Sequence, residues 1–441
     1  MSAITQTDPR EIIAREPMHA RQVLAIGIAT ALNALDGFDV LSISFASPGI
    51  AAEWGVDRAE LGVVLSMELI GMAIGAFTLG ALADRAGRRP TILACLVIMA
   101  LGMAVASVST GVVMLSAVRL VTGLGIGGML AATNAIVAEC ANARRRNLSV
   151  AIMAGGYPIG AIVGGTVASA LLAETGRWQS IFVFGAITTA AFIPLVLWLV
   201  PETIAFLCDR QPGDALERIN RTMRRQGRPL LAALPPKSPD AGRTGIAEAF
   251  APGLARVTFL LTLAYFFHIM TFYFLMKWIP KVVADMGFSP SLAGGVLVWA
   301  NVGGALGSVT LSLLTQRIDV RRLVIVSMVI GALAVAVFGQ AWGGFSGLSA
   351  AAAVAGFFTN GATAGLYAVL AQSFPARLRA GGTGIVIGIG RGGAALGPIV
   401  AGLLFSLGWP LAWVASVMAC GCAIGAVMLG LLGRSVHHHA F

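Results

Sequence analysis

The chain has 441 residues, 57% of them hydrophobic and 11% charged, with 30 Lys and Arg against 20 Asp and Glu and a net charge of +10. A soluble domain carries about 25% charged residues, and apolar runs longer than the ~20 residues of a bilayer crossing recur from end to end. A water-soluble globular protein is therefore excluded, and a polytopic membrane protein is predicted. Nor does the positive charge point to nucleic acid. Of the 30 basic side chains, 24 fall in seven places: the segment 1–21, then 85–89, 144–146, 201–256, 317–322, 377–379 and Arg434. These alternate with nearly charge-free connections such as 107–112 and 340–348. This is the positive-inside pattern, which predicts a multi-pass protein of a bacterial-type cytoplasmic (inner) membrane with both termini in the cytoplasm.

Segment 1–21 carries Asp8, Arg10, Glu11, Arg15 and Glu16 and is expected to be a polar cytoplasmic tail, not a signal peptide. Six apolar spans follow at 22–46, 58–83, 90–109, 112–139, 148–173 and 178–200, an N-terminal six-helix bundle over 22–200. The polar stretch 201–255 reads as a cytoplasmic central loop, with helical character at 216–226. Six more spans, at 256–280, 290–315, 322–340, 346–373, 380–407 and 409–433, form a C-terminal bundle over 256–433. Residues 434–441 make a cytoplasmic tail whose His437, His438 and His439 are set aside. The predicted class is an all-α membrane protein of 12 transmembrane helices in two six-helix halves. The five cysteines (Cys95, Cys140, Cys208, Cys420 and Cys422) fall in intramembrane or cytoplasmic places that do not favour disulfides, and show no metal-ligand spacing.

The halves repeat at an offset of 232 to 233 residues. Gly62, Gly75, Thr78, Leu82, Arg85 and Arg89 match Gly294, Gly307, Thr310, Leu314, Arg317 and Arg321. Gly123, Arg144, Arg146, Gly155, Gly160 and Gly164 match Gly356, Arg377, Arg379, Gly388, Gly393 and Gly397. GxxxG pairs such as Gly71/Gly75, Gly303/Gly307 and Gly393/Gly397 predict close-packed helix faces. Two six-helix halves joined by a cytoplasmic loop are the plan of a rocking transporter with its site near the midplane.

A charged side chain at mid-bilayer costs roughly 2.5–3.5 kcal/mol on insertion scales and marks function by default. DGFD (36–39) puts Asp36 and Asp39 on neighbouring faces of span 1. At 1.5 Å per residue, Asp36 lies about 20 Å from the cytoplasmic end of span 1 and Arg119 about 10 Å from the opposite end of span 4. Their depths coincide, so an Asp36–Arg119 pair is expected. Glu68 and Arg391 both fall near the midplane, and a Glu68–Arg391 pair is weighed equally as a fixed strut and as part of the transport site. In span 7, AYFFHIMTFYFLMKWIP (264–280), the side chains Tyr265, Phe266, His268, Phe272 and Tyr273 suit an aromatic substrate. Lys277 and Trp278 read as an interfacial belt. Trp299, Asn301 and Asn360 are further candidates for the cavity, and Glu139 is expected to be a gating partner for Arg144 to Arg146.

GALADRAGRRP (80–90), between spans 2 and 3, combines Gly80 and Gly87 for close approach and a tight turn with Asp84 for capping or pairing, and Arg85, Arg88 and Arg89 as cytoplasmic anchors. It closely resembles the loop signature of the major facilitator superfamily, as RLVTGLGIGG (119–128) resembles a second motif of that superfamily. The partner loop LTQRIDVRR (314–322) has Gln316 in place of the aspartate, which predicts a weaker latch in the second half. PETIAFL (201–207) resembles a sugar-porter motif, but Ala205 stands where that motif has arginine, which counts against a sugar carrier. DGFD, Arg119 and GRGGAALGP (390–398) with Arg391 together resemble the aromatic acid:proton symporters. The resemblance implies the major facilitator fold and import of benzoate-like or hydroxycinnamate-like anions with protons.

On that reading, Asp36, Asp39 and Glu68 outnumber Arg119 and Arg391 by one, leaving one carboxylate to carry a proton. A substrate carboxylate would take Arg119 or Arg391, since a guanidinium fork suits it. Anion and proton then favour each other's binding, as symport requires. No cofactor is expected beyond the proton as coupling ion, and no partner beyond substrate and lipid; a monomer is expected because one chain holds both halves of a pathway. The nearest rival is a proton-coupled exporter of drugs or metabolites on the same fold. A membrane-embedded enzyme would need clustered His, Ser or metal ligands, and apart from the terminal triplet only His19 and His268 exist. A non-transporting sensor would be expected to carry an appended signalling domain.

Overall fold

Why each span stays a helix follows from its solvent: lipid offers no hydrogen bond, so every backbone group must be satisfied inside the segment. The computed structural model describes residues 4–5, 8–237, 251, 254–375 and 378–432. Arg377, Arg434 and the 434–441 tail lie outside the described residues, as does most of 238–253. Among the described residues, 12 helices of 19 to 35 residues are long and apolar enough to cross a membrane. The first half comprises α2 (Ala20–Trp54), α3 (Arg58–Ala86), α4 (Arg88–Ser107), α5 (Val112–Cys140), α6 (Arg146–Thr175) and α7 (Gln179–Leu199). The second comprises α10 (Ala255–Asp285), α11 (Pro290–Leu314), α12 (Val320–Phe338), α13 (Gly344–Ser373), α14 (Arg379–Ser406) and α15 (Leu411–Leu431). The short elements are α1 (Pro9–Arg15), α8 (Ile204–Arg210), α9 (Ala215–Arg225), β1 (Ile4–Thr5) and β2 (Leu230–Leu231).

Several helices run further than their apolar spans. α2 continues through Pro48 to Trp54 and α10 through Pro280 to Asp285. Ser42 and Ser47 donate to the carbonyls of Asp39 and Ser44 at 2.7 and 2.8 Å, taking up backbone acceptors along this stretch of α2. The starts of α3, α11 and α12 are capped by Asp57, Ser289 and Asp319, whose side chains accept from the backbone N–H groups of Ala59, Leu292 and Arg322.

The sequence repeat is a structural repeat. Where α2 crosses α6, a Cβ on Gly160 would overlap the Ala34 carbonyl; where α10 crosses α14, one on Gly393 would overlap the Phe266 carbonyl. Gly71 and Gly75 on α3 press against Leu120 and Leu124 of α5, as Gly303 and Gly307 on α11 press against Ala353 and Phe357 of α13. Arg89 donates to the Leu197 carbonyl at the end of α7, and Arg321 to the Leu429 and Gly430 carbonyls at the end of α15. Because the Gly160 contact is backbone against backbone, Gly160→Leu is expected to cost about 1–3 kcal/mol. The cost should appear as a lowered Tm of the detergent-solubilised protein, with Gly155→Leu, where nothing lies within 4 Å, as the unaffected control.

On the face carrying the basic loops, α1, α8, α9 and the β1–β2 pair form a small cap with its own core. Ile12, Ile13, Phe206, Leu207, Cys208, Ile219 and Met223 are buried there together. Arg10 joins Asp8 and Asp209 across it, and Arg228 joins Glu16 to Gln22. Burial pushes the Cys208 thiol up to about 12. Since the thiolate is the reactive form, Cys208 is expected to resist maleimide at about pH 8 in the folded protein and to label only after denaturation in SDS, followed by peptide mass spectrometry.

Candidate functional site

The intramembrane charges assemble inside the first half, but not in the expected pairs. Glu68 of α3 is bonded by Arg119 of α5 through one carboxylate oxygen and lies 3.3 Å from the Lys277 ammonium through the other. All three side chains are fully buried. Arg119 also donates to the Asp39 carbonyl at 2.9 Å, and its guanidinium stacks 5.5 Å from the Phe182 ring centroid. Lys277 donates as well to the Val40 carbonyl, one residue past DGFD. Asp36 and Asp39 are buried beside this group, and neither carboxylate makes a hydrogen bond in the structure. The expected Asp36–Arg119 and Glu68–Arg391 pairs are thus replaced by a Glu68–Arg119 pair: α3 packs closely on α5 through Gly71 and Gly123 and brings Glu68 to Arg119, while Asp39 of α2 lies against Gly185 of α7.

Lys277 and Trp278 are not an interfacial belt. α10 continues two turns beyond them; Lys277 is buried against the first half, and Trp278 is buried against α14 of its own half. The Trp278 indole N–H donates to the Pro398 carbonyl at 3.1 Å and its ring lies 5.0 Å from Phe405. Arg58 of α3 bonds Asp285 of α10 at 2.9 Å nearby. Gly62 meets Pro398 and Gly402, while Gly165 meets Val298 and Gly294 meets Ser169. These contacts close the halves on the face opposite the basic loops.

Arg391 stands apart from the buried cluster. It is half-buried on α14, and its hydrogen bond is a 3.4 Å donation to the Met72 carbonyl across the halves. Near it the chain's four tyrosines form two contacting pairs. Tyr265 and Tyr367 share a 3.1 Å hydroxyl–hydroxyl bond. Tyr157 of α6 and Tyr273 of α10 face each other across the halves, and Tyr265 and Tyr273 both lie within electrostatic reach of Arg391. Phe272 packs edge-on against Tyr273 at 5.2 Å, and Phe266 lies against Gly392. An arginine beside two tyrosine hydroxyls can hold a carboxylate at one end and a ring with its hydroxyls at the other.

Four cavity candidates fall elsewhere. His268 is fully buried within the second half, 3.0 Å from the Thr359 carbonyl and the Thr363 hydroxyl and 3.3 Å from Cys422. At the repeat offset it occupies the position of Asp36, and like Asp36 it turns into its own half. Trp299 lies 50% exposed on a stripe with Leu292, Leu306 and Leu313, the apolar outer face of α11. Asn301 donates to the Leu297 carbonyl of its own helix at 2.9 Å, and Asn360 packs over Gly304.

At the basic face, Glu139 pairs with Arg88 at 2.8 Å and accepts from Thr203, not from Arg144 to Arg146, which are exposed. Asp84 also pairs with Arg88, at 3.2 Å, and Gly87 makes the turn with φ of +110°. Gly80 approaches Ala131, and Arg85 is exposed. The α4 N-terminus is capped from a distance: Glu202 accepts from the Arg88 and Arg89 N–H groups at 3.0 and 3.3 Å, a carboxylate at the positive end of a helix. Glu202, Tyr157, Tyr367 and the role of Lys277 were missed from sequence. Only the tyrosines left a signal, their scarcity. In the second half, Asp319 caps α12 directly from the loop that carries Gln316.

Twelve helices in two repeats, a buried charge cluster and an aromatic site between the halves define a membrane transporter fold. The profile described as Major Facilitator Superfamily matches residues 28–225 and 261–440, and the chain belongs to that superfamily. It is 30% identical to a gallate transporter of Pseudomonas putida over 91% of this chain and 89% of the relative. It is 28% identical to the 4-hydroxybenzoate transporter PcaK of Pseudomonas aeruginosa over 100% and 99% of the two chains. It is also 30% identical to a 3-(3-hydroxy-phenyl)propionate transporter of Escherichia coli over 94% of each. Among solved structures, a bacterial homologue of the human lysosomal transporter Spinster, inward-facing and unoccupied, superimposes with a TM-score of 0.72 at 15% identity, covering 96% of this chain and 99% of that one. The E. coli xylose transporter XylE, partially occluded and inward-open, gives 0.69 at 16% identity over 93% and 98%.

Proposed function

We propose that the protein carries a small hydroxylated aromatic carboxylate across the cytoplasmic membrane together with protons, by alternating access of its two halves. The observation that carries this reading is Arg391 beside Tyr265 and Tyr273, each paired with a second tyrosine, and held to the protein by one long hydrogen bond. Arg119 is already spent on Glu68, so Arg391 takes the substrate carboxylate. The names of the relatives support an aromatic acid. Both termini and the basic loops lie in the cytoplasm by the positive-inside rule, so the closure on the opposite face makes this an inward-facing state. Coupling resides in the buried cluster. Three carboxylates (Asp36, Asp39 and Glu68) meet two cations (Arg119 and Lys277), and the cluster becomes neutral on taking up one proton.

The test is uptake of labelled gallate, 4-hydroxybenzoate and 3-(3-hydroxyphenyl)propionate into proteoliposomes with and without an inward proton gradient. Wild type is expected to accumulate at least one of them only with the gradient. Asp36→Asn and Asp39→Asn are expected to bind it and exchange it but not to accumulate it. Accumulation that ignores the gradient, or that survives in both variants, would remove the coupling role from DGFD.

A further inference from the structure

We propose that Lys277 is the proton-released tie that holds the halves together on the outer side. The proposal rests on the reading that the halves rock, but not on which substrate they carry. Lys277 belongs to α10 in the second half, yet its ammonium is buried in the carboxylate cluster of the first, against Glu68 and the Val40 carbonyl. It thus bridges α10 to α2 and α3 at the depth of the cluster. Nearby, the Arg58–Asp285 pair extends the same closure towards the outer surface. For the outer side to open, α10 must withdraw the ammonium from Glu68. While Glu68 is ionised, that withdrawal separates a buried ion pair. Once Glu68 is neutral, the ammonium keeps only the Val40 carbonyl as a hydrogen-bond acceptor without an opposing charge, and its burial becomes unfavourable.

The charged and titratable groups around this contact are Asp36 and Asp39 on α2, Glu68 on α3, Arg119 on α5, Tyr157 on α6 and Tyr273 on α10 itself. Arg391 on α14 reaches the Met72 carbonyl on α3 and completes the set. Arg119 stays with Glu68 whichever way the halves move, because both belong to the first half. Lys277 is the cation that has to leave. Protonation from the outer side and outer opening therefore favour one another, which is the order of events import with protons needs.

The experiment uses full-length protein in nanodiscs, with native cysteines replaced and spin labels at Glu60→Cys and Ser346→Cys, exposed outer-side positions on opposite halves. Electron–electron distances are recorded at about pH 8 and about pH 5. Wild type is expected to shift towards the longer distance on acidification, by about tenfold in open population, the scale of one lost hydrogen bond to a charge. Glu68→Gln is expected to show the long distance already at about pH 8. Lys277→Met is expected to give one distribution at both pH values. Lys277→Met added to Glu68→Gln should return the distribution to that of Lys277→Met alone. A Glu68→Gln opening that persists without Lys277 would overturn the tie while leaving rocking intact. A wild-type distance that never changes would overturn both, and needs no variant to fold.

Discussion

Arg391→Ala is expected to weaken binding of a hydroxybenzoate-type anion by about 10- to 100-fold, the worth of a hydrogen bond to a charged group, with no loss of folding. The reason is the asymmetry of its surroundings. Its hydrogen bond within the protein is a 3.4 Å donation to the Met72 carbonyl, and its side chain is only half-buried, so removing it leaves no buried charge behind. Binding by isothermal calorimetry and size-exclusion behaviour measured on the same preparation separate the two effects. Arg391→Lys is expected to recover part of the affinity, since a point charge cannot reproduce the guanidinium fork. An Arg391→Ala protein that binds normally would move the carboxylate site elsewhere.

Arg119→Ala is expected to behave oppositely, failing in folding before it fails in binding. Arg119 is fully buried, its pair with Glu68 joins α3 to α5, and its donation to the Asp39 carbonyl joins both to α2. Breaking one side of a buried ion pair costs about 3–5 kcal/mol, a large share of the ~5–15 kcal/mol that holds a typical domain together. Low yield of monodisperse protein and a clearly reduced Tm are the expected readouts. If Arg119→Ala purifies and melts like wild type, Glu68 is held mainly by Lys277, and Arg119 is available for substrate after all.

The contrast between these two arginines marks where sequence reasoning stopped. Span number, repeat and basic-loop alternation were legible because the bilayer imposes them on every 20 or so residues of the chain. The conspicuous charges were legible for the same reason. Their partners were not, because partnership depends on helix rotation, and a rotation of about 100° per residue is set by packing that depth arguments do not see. Depth placed Asp36 level with Arg119, but the close packing of α3 on α5 brought Glu68 to it instead. Lys277 was misread because the apolar run stops near it while the helix does not: α10 continues to Asp285, so a residue that looked terminal is internal. Glu202 could not be found at all by local pattern, since the helix start it caps lies more than a hundred residues earlier.

The cap on the basic face bears on how the chain is made. β1 pairs with β2 through Ile4 and Leu230, and α1 packs on α8, so residues 4–15, which precede every membrane helix described, find their seat only after residue 231 has been synthesised. By then all six helices of the first half have been translated, and α10 has not. Seating β1 and α1 therefore coincides with completion of one half-molecule, before the second can compete for its exposed faces. Deleting residues 1–16 is expected to lower the amount of protein that matures while leaving the turnover of each mature molecule near normal.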